Sequence, residues 1–233
     1  MGPPDLPTPF HGGGTQRLSA LADGVFSIVL TLLVFEITPP KDHTPDDLAK
    51  MLVGLWPSFL AFGISVGLVG IYWSAHHSMF RLIERTDHAL NWLNLLVLAV
   101  VSLLPFSTRL IANFHTDPVA LAFYGGNLIA VGLSLLALWL HAAAGHRLVA
   151  ESMSRGTLWY GVSRCLVGTF GYGLATALAF ASTAAALVIF ASVPMLYILP
   201  SAQRVWLRLF GLEPTRVADH RRTDAARTHP PNR

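Results

Sequence analysis

The sequence predicts an all-α polytopic membrane protein with six transmembrane helices and both termini in the cytoplasm. Of its 233 residues, 53% are hydrophobic and 12% are charged, whereas about 25% of the residues in a soluble domain are charged. Predominantly apolar stretches of about 20 residues, the length that crosses a bilayer as a helix, recur along the chain. A membrane protein explains this composition, and no nucleic-acid-binding module is recognisable.

Four separate apolar stretches and one long uncharged run define the predicted helices. The run from Cys165 to Gln203 contains no Asp, Glu, Lys or Arg. It is too long for one helix across a hydrocarbon core of about 30 Å, so it predicts a helical hairpin that turns near residues 181–183. Pro105, which has no backbone N–H, is expected to kink the third helix. The predicted spans are 18–38, 51–75, 90–112, 119–141, 158–180 and 183–203.

The distribution of Lys and Arg gives the orientation. If both termini are cytoplasmic, only three of the sixteen basic residues lie outside, namely Lys41, Lys50 and Arg109. Cytoplasmic segments of membrane proteins carry the excess of Lys and Arg, so this orientation is favoured. The Pro- and Gly-rich residues 1–16 and the Arg-rich tail 204–233 are predicted to be disordered, which leaves residues 17–203 as the membrane domain.

The first helix carries two charged residues near its cytoplasmic end. Polar groups inside a spanning segment are expensive, so each is a functional hypothesis. Arg17 and Asp23 are six residues apart and point about 240° apart around the helix, so each is expected to meet a partner on another helix. The alternative is that Arg17 snorkels to the membrane surface and Asp23 contacts the amides near the helix N-terminus.

Deeper in the same helix, three apolar residues form a stripe. Ile28, Leu32 and Phe35 have the spacing of one helix face, and Thr31 lies at the edge of that face. Such a stripe is typical of helix–helix packing, and a membrane threonine often bonds a carbonyl of its own helix. It is also compatible with a pore lining, because apolar rings gate by dewetting and hydroxyl groups replace part of an ion's hydration shell.

The histidines and the single cysteine do not predict a metal or cofactor site. Cys165 cannot form an intrachain disulfide, and one cysteine is too few for a zinc finger or an iron–sulfur centre. Neighbouring His76 and His77 point about 100° apart on a helix and are poorly placed to share a metal. A histidine hydrogen-bonded to Asp23 is predicted instead, and Asn94, inside an apolar run, is expected to need an interhelical partner.

Three motifs in the first 110 residues resemble the bacterial members of the transmembrane protein 175 family of potassium channels. The first is Arg-x-x-x-x-x-Asp-Gly-Val-Phe-Ser-Ile-x-Leu-Thr-Leu-Leu-Val, which begins at Arg17. The second is Tyr-Trp-x-x-His-His-x-x-Phe, which begins at Tyr72. The third consists of Leu-Asn-x-Leu followed by Ser-Leu-Leu-Pro-Phe-Ser-Thr, which ends at Thr108.

The resemblance implies a homotetrameric, potassium-selective or potassium-preferring channel in a bacterial inner membrane, with potassium ions and the lipid bilayer as partners and with no enzymatic activity. Helix 1 of each subunit would line the pore. Neither the family nor this sequence has the Thr-Val-Gly-Tyr-Gly filter of ordinary potassium channels. Carried over by position, the apolar constriction falls on Ile28, Leu32 and Phe35, and the hydroxyl implicated in selectivity falls on Thr31.

The family signature Arg-x-x-x-Phe-Ser-Asp falls on four positions of helix 1. Arg17 and Asp23 match it, whereas Leu21 stands in place of Phe and Ala22 in place of Ser. By the same resemblance, these residues belong to an inner network that holds helix 1 against helices 2 and 3. The other predicted members of that network are His77, Trp73 and Asn94.

Two other classes of function stay open at this point. A proton-coupled exporter of small solutes would use Asp23, His77 and Glu36 as proton carriers. A membrane-embedded enzyme would use Asp23 and the histidines in acid–base chemistry, although no paired carboxylates support it. Proton permeation through the same pore is a close relative of potassium conduction.

Overall fold

A computed structural model of the chain describes residues 13–38, 48–150 and 153–199, and these residues are helical apart from short connections. Short 3-10 segments, Leu33–Glu36 and Ala144–His146, follow the first and the sixth helix. The α-helices of the described ranges are α1 Gly13–Leu32, α2 Leu48–Gly54, α3 Trp56–Phe80, α4 His88–Val101, α5 Leu104–Asn113, α6 Pro118–Ala143, α7 Arg155–Ala179 and α8 Thr183–Ile198.

Four helical stretches of the described residues are long and apolar enough to cross a membrane, namely 14–36, 56–80, 88–113 and 118–146. They agree with the first four predicted spans. The predicted hairpin is also present, because α7 and α8 are separated by a turn at residues 180–182. Ser182 caps α8, since its hydroxyl accepts a hydrogen bond from the amide of Ala185 at 3.3 Å.

Two predicted boundaries are wrong. Residues 13–16, predicted to be disordered, form the first turn of α1. The second span begins at Trp56 and not at residue 51, because the short α2 precedes it and Pro57, which has no N–H to donate, lies in the first turn of α3. The predictions of disorder for residues 1–12 and 204–233 fall outside the described residues, as does the end of the last span at 200–203.

The expected kink in the third span is present as an interruption at Ser102 and Leu103 between α4 and α5. The nitrogen of Pro105 cannot bond the Val101 carbonyl, and the chain changes its hydrogen bonding there. The amide of Leu103 donates to the Val100 carbonyl, three residues back, at 3.2 Å. The span therefore consists of two helices, and the second carries Ser107 and Thr108 into the interior.

Helix α6 lies at the centre of the bundle and packs against α3, α4, α5, α7 and α8. Its Tyr124 joins a row of hydroxyl groups inside the protein. The Tyr124 hydroxyl lies 3.0 Å from that of Ser65 in α3, and the Ser65 hydroxyl lies 2.8 Å from that of Thr108 in α5. Because no water is available at this depth, an unpaired hydroxyl would be costly, so this row fixes α3, α5 and α6 relative to one another.

At the end of the bundle where α3 and α6 finish, Asp87 joins two helices. Its carboxylate caps α4 by accepting from the Leu90 amide at 2.7 Å, and it lies 3.0 Å from Nε2 of His141 at the end of α6. Desolvation raises the pKa of Asp87, but the Leu90 amide, His141 and Arg147 outweigh it, so this pKa lies below its usual value. Asp87 thus holds the start of α4 against the end of α6.

Close contact between α6 and α7 depends on small residues in α6. A Cβ atom added at Gly125 would overlap the Thr176 hydroxyl and come within 3.0 Å of the Phe190 ring, whereas one at the adjacent Gly126 would meet nothing within 4 Å. Overfilling a packed interface costs about 1–3 kcal/mol.

We therefore expect Gly125→Ala to lower the melting temperature of the purified protein and Gly126→Ala to leave it nearly unchanged. Equal melting temperatures for the two variants would contradict the described α6–α7 contact.

Candidate functional site

Helix α1 has one buried face and one exposed face. The buried face is formed by Ala22, Phe26, Val29 and Leu33, none of which is more than 2% exposed. Their spacing of four, three and four residues is that of one helix face, and α1 packs against α3, α4 and α5. This packing fixes the rotation of α1 and determines which residues the opposite face presents.

The exposed face carries all three residues predicted to form the constriction. Ile28 is 58% exposed, Leu32 is 42% exposed and Phe35 is 71% exposed. These side chains are not part of the core of the subunit, so packing within the chain does not explain the stripe. The face is open to contact with lipid, a pore or another copy of the chain.

Two hydroxyl groups lie on the exposed side of α1 and bond to their own helix. The Ser27 hydroxyl donates to the Asp23 carbonyl at 2.7 Å, and the Thr31 hydroxyl donates to the Ile28 carbonyl at 2.8 Å. A hydroxyl has one proton and two acceptor lone pairs. With the proton directed at the helix, the exposed Thr31 oxygen is left as an acceptor, which is the polarity that a cation requires.

Asp23 is bonded to Trp73 and not to a histidine, so the predicted Asp23–histidine bond is wrong. The Trp73 Nε1–H donates to Oδ1 of Asp23 at 2.7 Å. His77, one turn further along α3, stacks on the indole with ring centroids 5.5 Å apart. The longer indole of Trp73 reaches the carboxylate of Asp23, whereas the shorter imidazole of His77 packs against the indole. In the described part of the chain, Nδ1 of His77 is buried without a hydrogen-bond partner.

The structure separates the four positions of the helix 1 signature. Ala22 is fully buried and Leu21 is 47% exposed, and Asp23 is bonded as described above. Arg17 is exposed, and no residue of the described ranges forms an ion pair or a hydrogen bond with its side chain, so the partner predicted on another helix is not found in those ranges. Eleven residues separate Arg17 from Ile28, which places both on nearly the same face of α1.

Asn94 has the interhelical partner that its position predicted, and the partner is His76. The Nε2–H of His76 donates to Oδ1 of Asn94 at 2.8 Å, because an amide oxygen can only accept. His76 lies between Phe80, with ring centroids 4.4 Å apart, and Phe26 of α1, at 5.9 Å. The sequence indicated that Asn94 needs a partner, but it did not indicate that His76 is that partner.

The far end of α1 is held by an ion pair that sequence reasoning also missed. Nε of Arg109 in α5 lies 3.3 Å from a carboxylate oxygen of Glu36. The same guanidinium donates to the Thr38 hydroxyl at 3.5 Å. These residues are far apart in sequence, and their proximity depends on the break before α5, so no local pattern indicated it. The middle of α1 and the 3-10 segment that follows it are thus attached to the bundle through side-chain contacts.

Comparison with known proteins gives a consistent set of relatives. A sequence model described as "Endosomal/lysosomal potassium channel TMEM175" matches residues 17–105. A protein from Chamaesiphon minutus named as a potassium channel is 40% identical over 146 residues, which cover 60% of this chain and 72% of the relative. A protein from Streptomyces collinus, also named as a potassium channel, is 36% identical over 170 residues, with coverage of 71% and 82%.

A solved structure has the same fold. The crystal structure of a lysosomal potassium-selective channel TMEM175 homologue from Chamaesiphon minutus superposes with a TM-score of 0.72 at 32% sequence identity. The superposition covers 81% of this chain and 98% of the other. The likeness therefore extends beyond residues 17–105, which the family model matches.

The bond between Asp23 and Trp73 gives a testable consequence. We expect Asp23→Ala and Trp73→Phe each to destabilise the folded protein by about 1–2 kcal/mol, since a hydrogen bond to a charged group is lost. Because both changes remove the same bond, the double variant should lose less than the sum of the two. Thermal unfolding of all three variants measures this coupling.

Trp92→Phe is the matched control, because the Trp92 indole bonds His88 on its own helix and does not reach α1. Additive losses in the Asp23 and Trp73 pair, or an equal loss in Trp92→Phe, would contradict the assigned role of the bond.

Proposed function

This chain belongs to the TMEM175 family of potassium channels, and we propose that it is a potassium-selective or potassium-preferring cation channel. In this proposal four copies assemble around a central pore, and α1 of each copy lines it. Ile28, Leu32 and Phe35 form successive apolar rings. The family is one of channels and not of enzymes, and the proposed location is a bacterial cell membrane.

The observation that carries the proposal is the exposed face of α1. Ser27 and Thr31 bring hydroxyl groups to this face at membrane depth, and lipid is a poor environment for such groups. Bulky apolar residues from the same face would meet at the centre of an assembly, where they exclude water. The buried face, which packs against the subunit's own helices, sets the rotation that directs the rings inward.

The proposed pore conducts by wetting of an apolar constriction. A ring of four isoleucines leaves a narrow, dry passage, and a modest rotation or dilation of α1 would admit water and ions. The Thr31 oxygen, with its proton directed at the Ile28 carbonyl, is proposed to replace part of the hydration shell of potassium. One hydroxyl per subunit supplies few ligands compared with a carbonyl cage, so we expect modest selectivity.

The inner network is proposed to act partly between copies. Within the subunit, Asp23 is held by Trp73, and His76 with Asn94 holds α3 against α4. Arg17 lies on the same face as Ile28, so it would meet a neighbouring α1 near the cytoplasmic end. An Arg17–Asp23 pair between adjacent copies would neutralise four positive charges at the entry of a cation pore.

Six spans with both termini in the cytoplasm remain our proposal for the topology. Helix α7 has 25 residues, or about 37 Å at 1.5 Å per residue, which is enough to cross the bilayer. Helix α8 has 16 residues and would need the following residues to complete a span. The distribution of Lys and Arg supports the orientation.

The channel is favoured over a proton-coupled transporter by the contacts of the proposed proton carriers. Glu36 is already paired with Arg109, and Asp23 accepts from Trp73. Asp23 lies in α1, and Glu36 lies in the 3-10 segment that follows, thirteen residues further on and about 20 Å away along the axis. Two charged groups that are this far apart and already engaged do not form the single central site that a transporter needs.

Recording of the purified protein in a planar bilayer tests the proposed function. With potassium and sodium on opposite sides and no other driving solute, we expect a passive current whose reversal potential is displaced towards the potassium equilibrium potential. The same recording under a proton gradient separates proton permeation from potassium conduction. Absence of current in either arrangement, or a requirement for a transported solute, would contradict the channel.

The constriction and the hydroxyl should respond differently to substitution. Ile28→Ala should raise the current, because a smaller ring is easier to hydrate, and it should leave the protein folded, because Ile28 is outside the subunit core.

Thr31→Val keeps the shape of the side chain and removes the hydroxyl, so it should lower the preference for potassium over sodium while conduction persists. Single-channel recording in mixed cations measures both effects.

Val29→Ala is the matched control for Ile28→Ala. Val29 is adjacent in sequence but is 2% exposed, so its truncation should leave a cavity and lower the yield of folded protein. A well-folded Ile28→Ala variant with unchanged current would argue against the constriction.

A further inference from the structure

A cavity of about 300 Å³ lies between α3, α6, α7 and α8. It is at the end of the bundle where α3 and α6 finish and α7 begins. Its walls are mainly apolar and aromatic. They include Ile71, Met79, Leu82, Leu135, Trp139 and Tyr172. The cavity is separate from the exposed face of α1 and has no part in the proposed pore.

One cationic side chain lies in the wall of this cavity. Nη1 of Arg164 donates to the hydroxyl of Tyr160, one turn earlier on α7, at 3.1 Å. The guanidinium carbon lies 5.6 Å from the Tyr160 ring centre and 5.3 Å from that of Tyr197 in α8. The Tyr197 hydroxyl in turn donates to the Arg164 carbonyl at 2.7 Å. Arg164 is therefore held in position by two aromatic residues.

The positive charge of Arg164 is not neutralised by a carboxylate in the described part of the chain, because no Asp or Glu there forms an ion pair with it. A guanidinium has five N–H donors in a planar fork, and the bond to Tyr160 uses one of them. A half-buried charge in apolar surroundings is stable only with a partner, and the fork matches a phosphate group.

The side chain of Arg164 points towards the level of the lipid headgroups. It is nine residues from the start of α7, about 14 Å along the helix, and helical side chains point back towards the N-terminus. The connections at the same end of the bundle carry Arg81, Arg85 and Arg147. A basic membrane face attracts anionic lipids. In the proposed topology this end faces the cytoplasmic leaflet, but the site itself does not depend on conduction.

We propose that the cavity is a binding site for an anionic phospholipid. The guanidinium group of Arg164 binds the phosphate, and the rings of Tyr160 and Tyr197 lie next to that guanidinium group. One acyl chain enters the cavity between α3 and α6, where Ala75 leaves room. The lipid thereby connects the α7–α8 hairpin to the helices that hold α1.

Native mass spectrometry of the full-length protein in neutral detergent tests this site. The probes are phosphatidylglycerol and phosphatidylcholine with identical acyl chains, and separately sodium phosphate. We expect wild-type protein to retain phosphatidylglycerol in preference to phosphatidylcholine. Arg164→Gln should weaken that retention about tenfold or more, since a charge-assisted contact is lost. Arg155→Gln, which removes an exposed arginine from the same helix, should behave like the wild type.

A second variant keeps the arginine and fills the cavity. Ala75→Leu should lower phosphatidylglycerol retention with Arg164 intact. If Arg164→Gln does not fold, Ala75→Leu alone tests whether the cavity binds the lipid. Equal retention of the lipid by wild type and Ala75→Leu would overturn the acyl-chain position. Equal retention by wild type and Arg164→Gln, no preference between the two lipids, or thermal stabilisation by sodium phosphate as large as that by phosphatidylglycerol would overturn the lipid site.

Discussion

The packing of Ala22, Phe26, Val29 and Leu33 against the rest of the subunit determines how α1 can function. These side chains are buried together, so α1 cannot rotate without exposing apolar core and opening cavities. The opposite face is therefore fixed as well, and it carries Ile28, Leu32 and Phe35. A helix that was polar or apolar all round would not distinguish a pore side from a packed side. The proposed conduction path depends on this division.

Polar contacts fix the position of α1 and so keep its buried and exposed faces in place, because apolar packing alone would allow the helix to shift. Trp73 holds Asp23 in the middle of α1, and Arg109 holds Glu36 in the 3-10 segment that follows α1. Between them, His76 is bonded to Asn94 and lies against Phe26. In a bilayer each of these groups would be costly without its partner, so the contacts specify one register. Gating by rotation of α1 would have to strain or exchange these contacts, which limits the motion to a small one.

Sequence reasoning succeeded where local chemistry decides the structure. Long apolar runs predicted the first four spans, the uncharged run from Cys165 predicted the α7–α8 hairpin, and Pro105 predicted the interruption between α4 and α5. It also predicted that Asn94 needs a partner. The choice of partner was not predictable, because His76 and His77 differ by about 100° in direction and only the packing of α3 decides which one faces α4.

The errors have related physical causes. The start of the second span was misplaced because α2 is apolar enough to continue the pattern, and Pro57 ends that continuity. The predicted bond from a histidine to Asp23 failed because Trp73, on the same side of α3, has the longer reach. The Glu36–Arg109 pair and the cavity at Arg164 join residues from distant parts of the chain. Such contacts follow from the assembled bundle and have no signature in any single helix.

The most direct test of the account is whether the exposed face of α1 meets its copies. A single cysteine is placed at Ile28 in a Cys165→Ser background, and the protein is oxidised in membranes. A cysteine at Phe170 of α7, which is 73% exposed, serves as the comparison. The account predicts disulfide-linked dimers from position 28 and few or none from position 170. Labelling of position 28 by a lipid-soluble thiol reagent without dimer formation would contradict it.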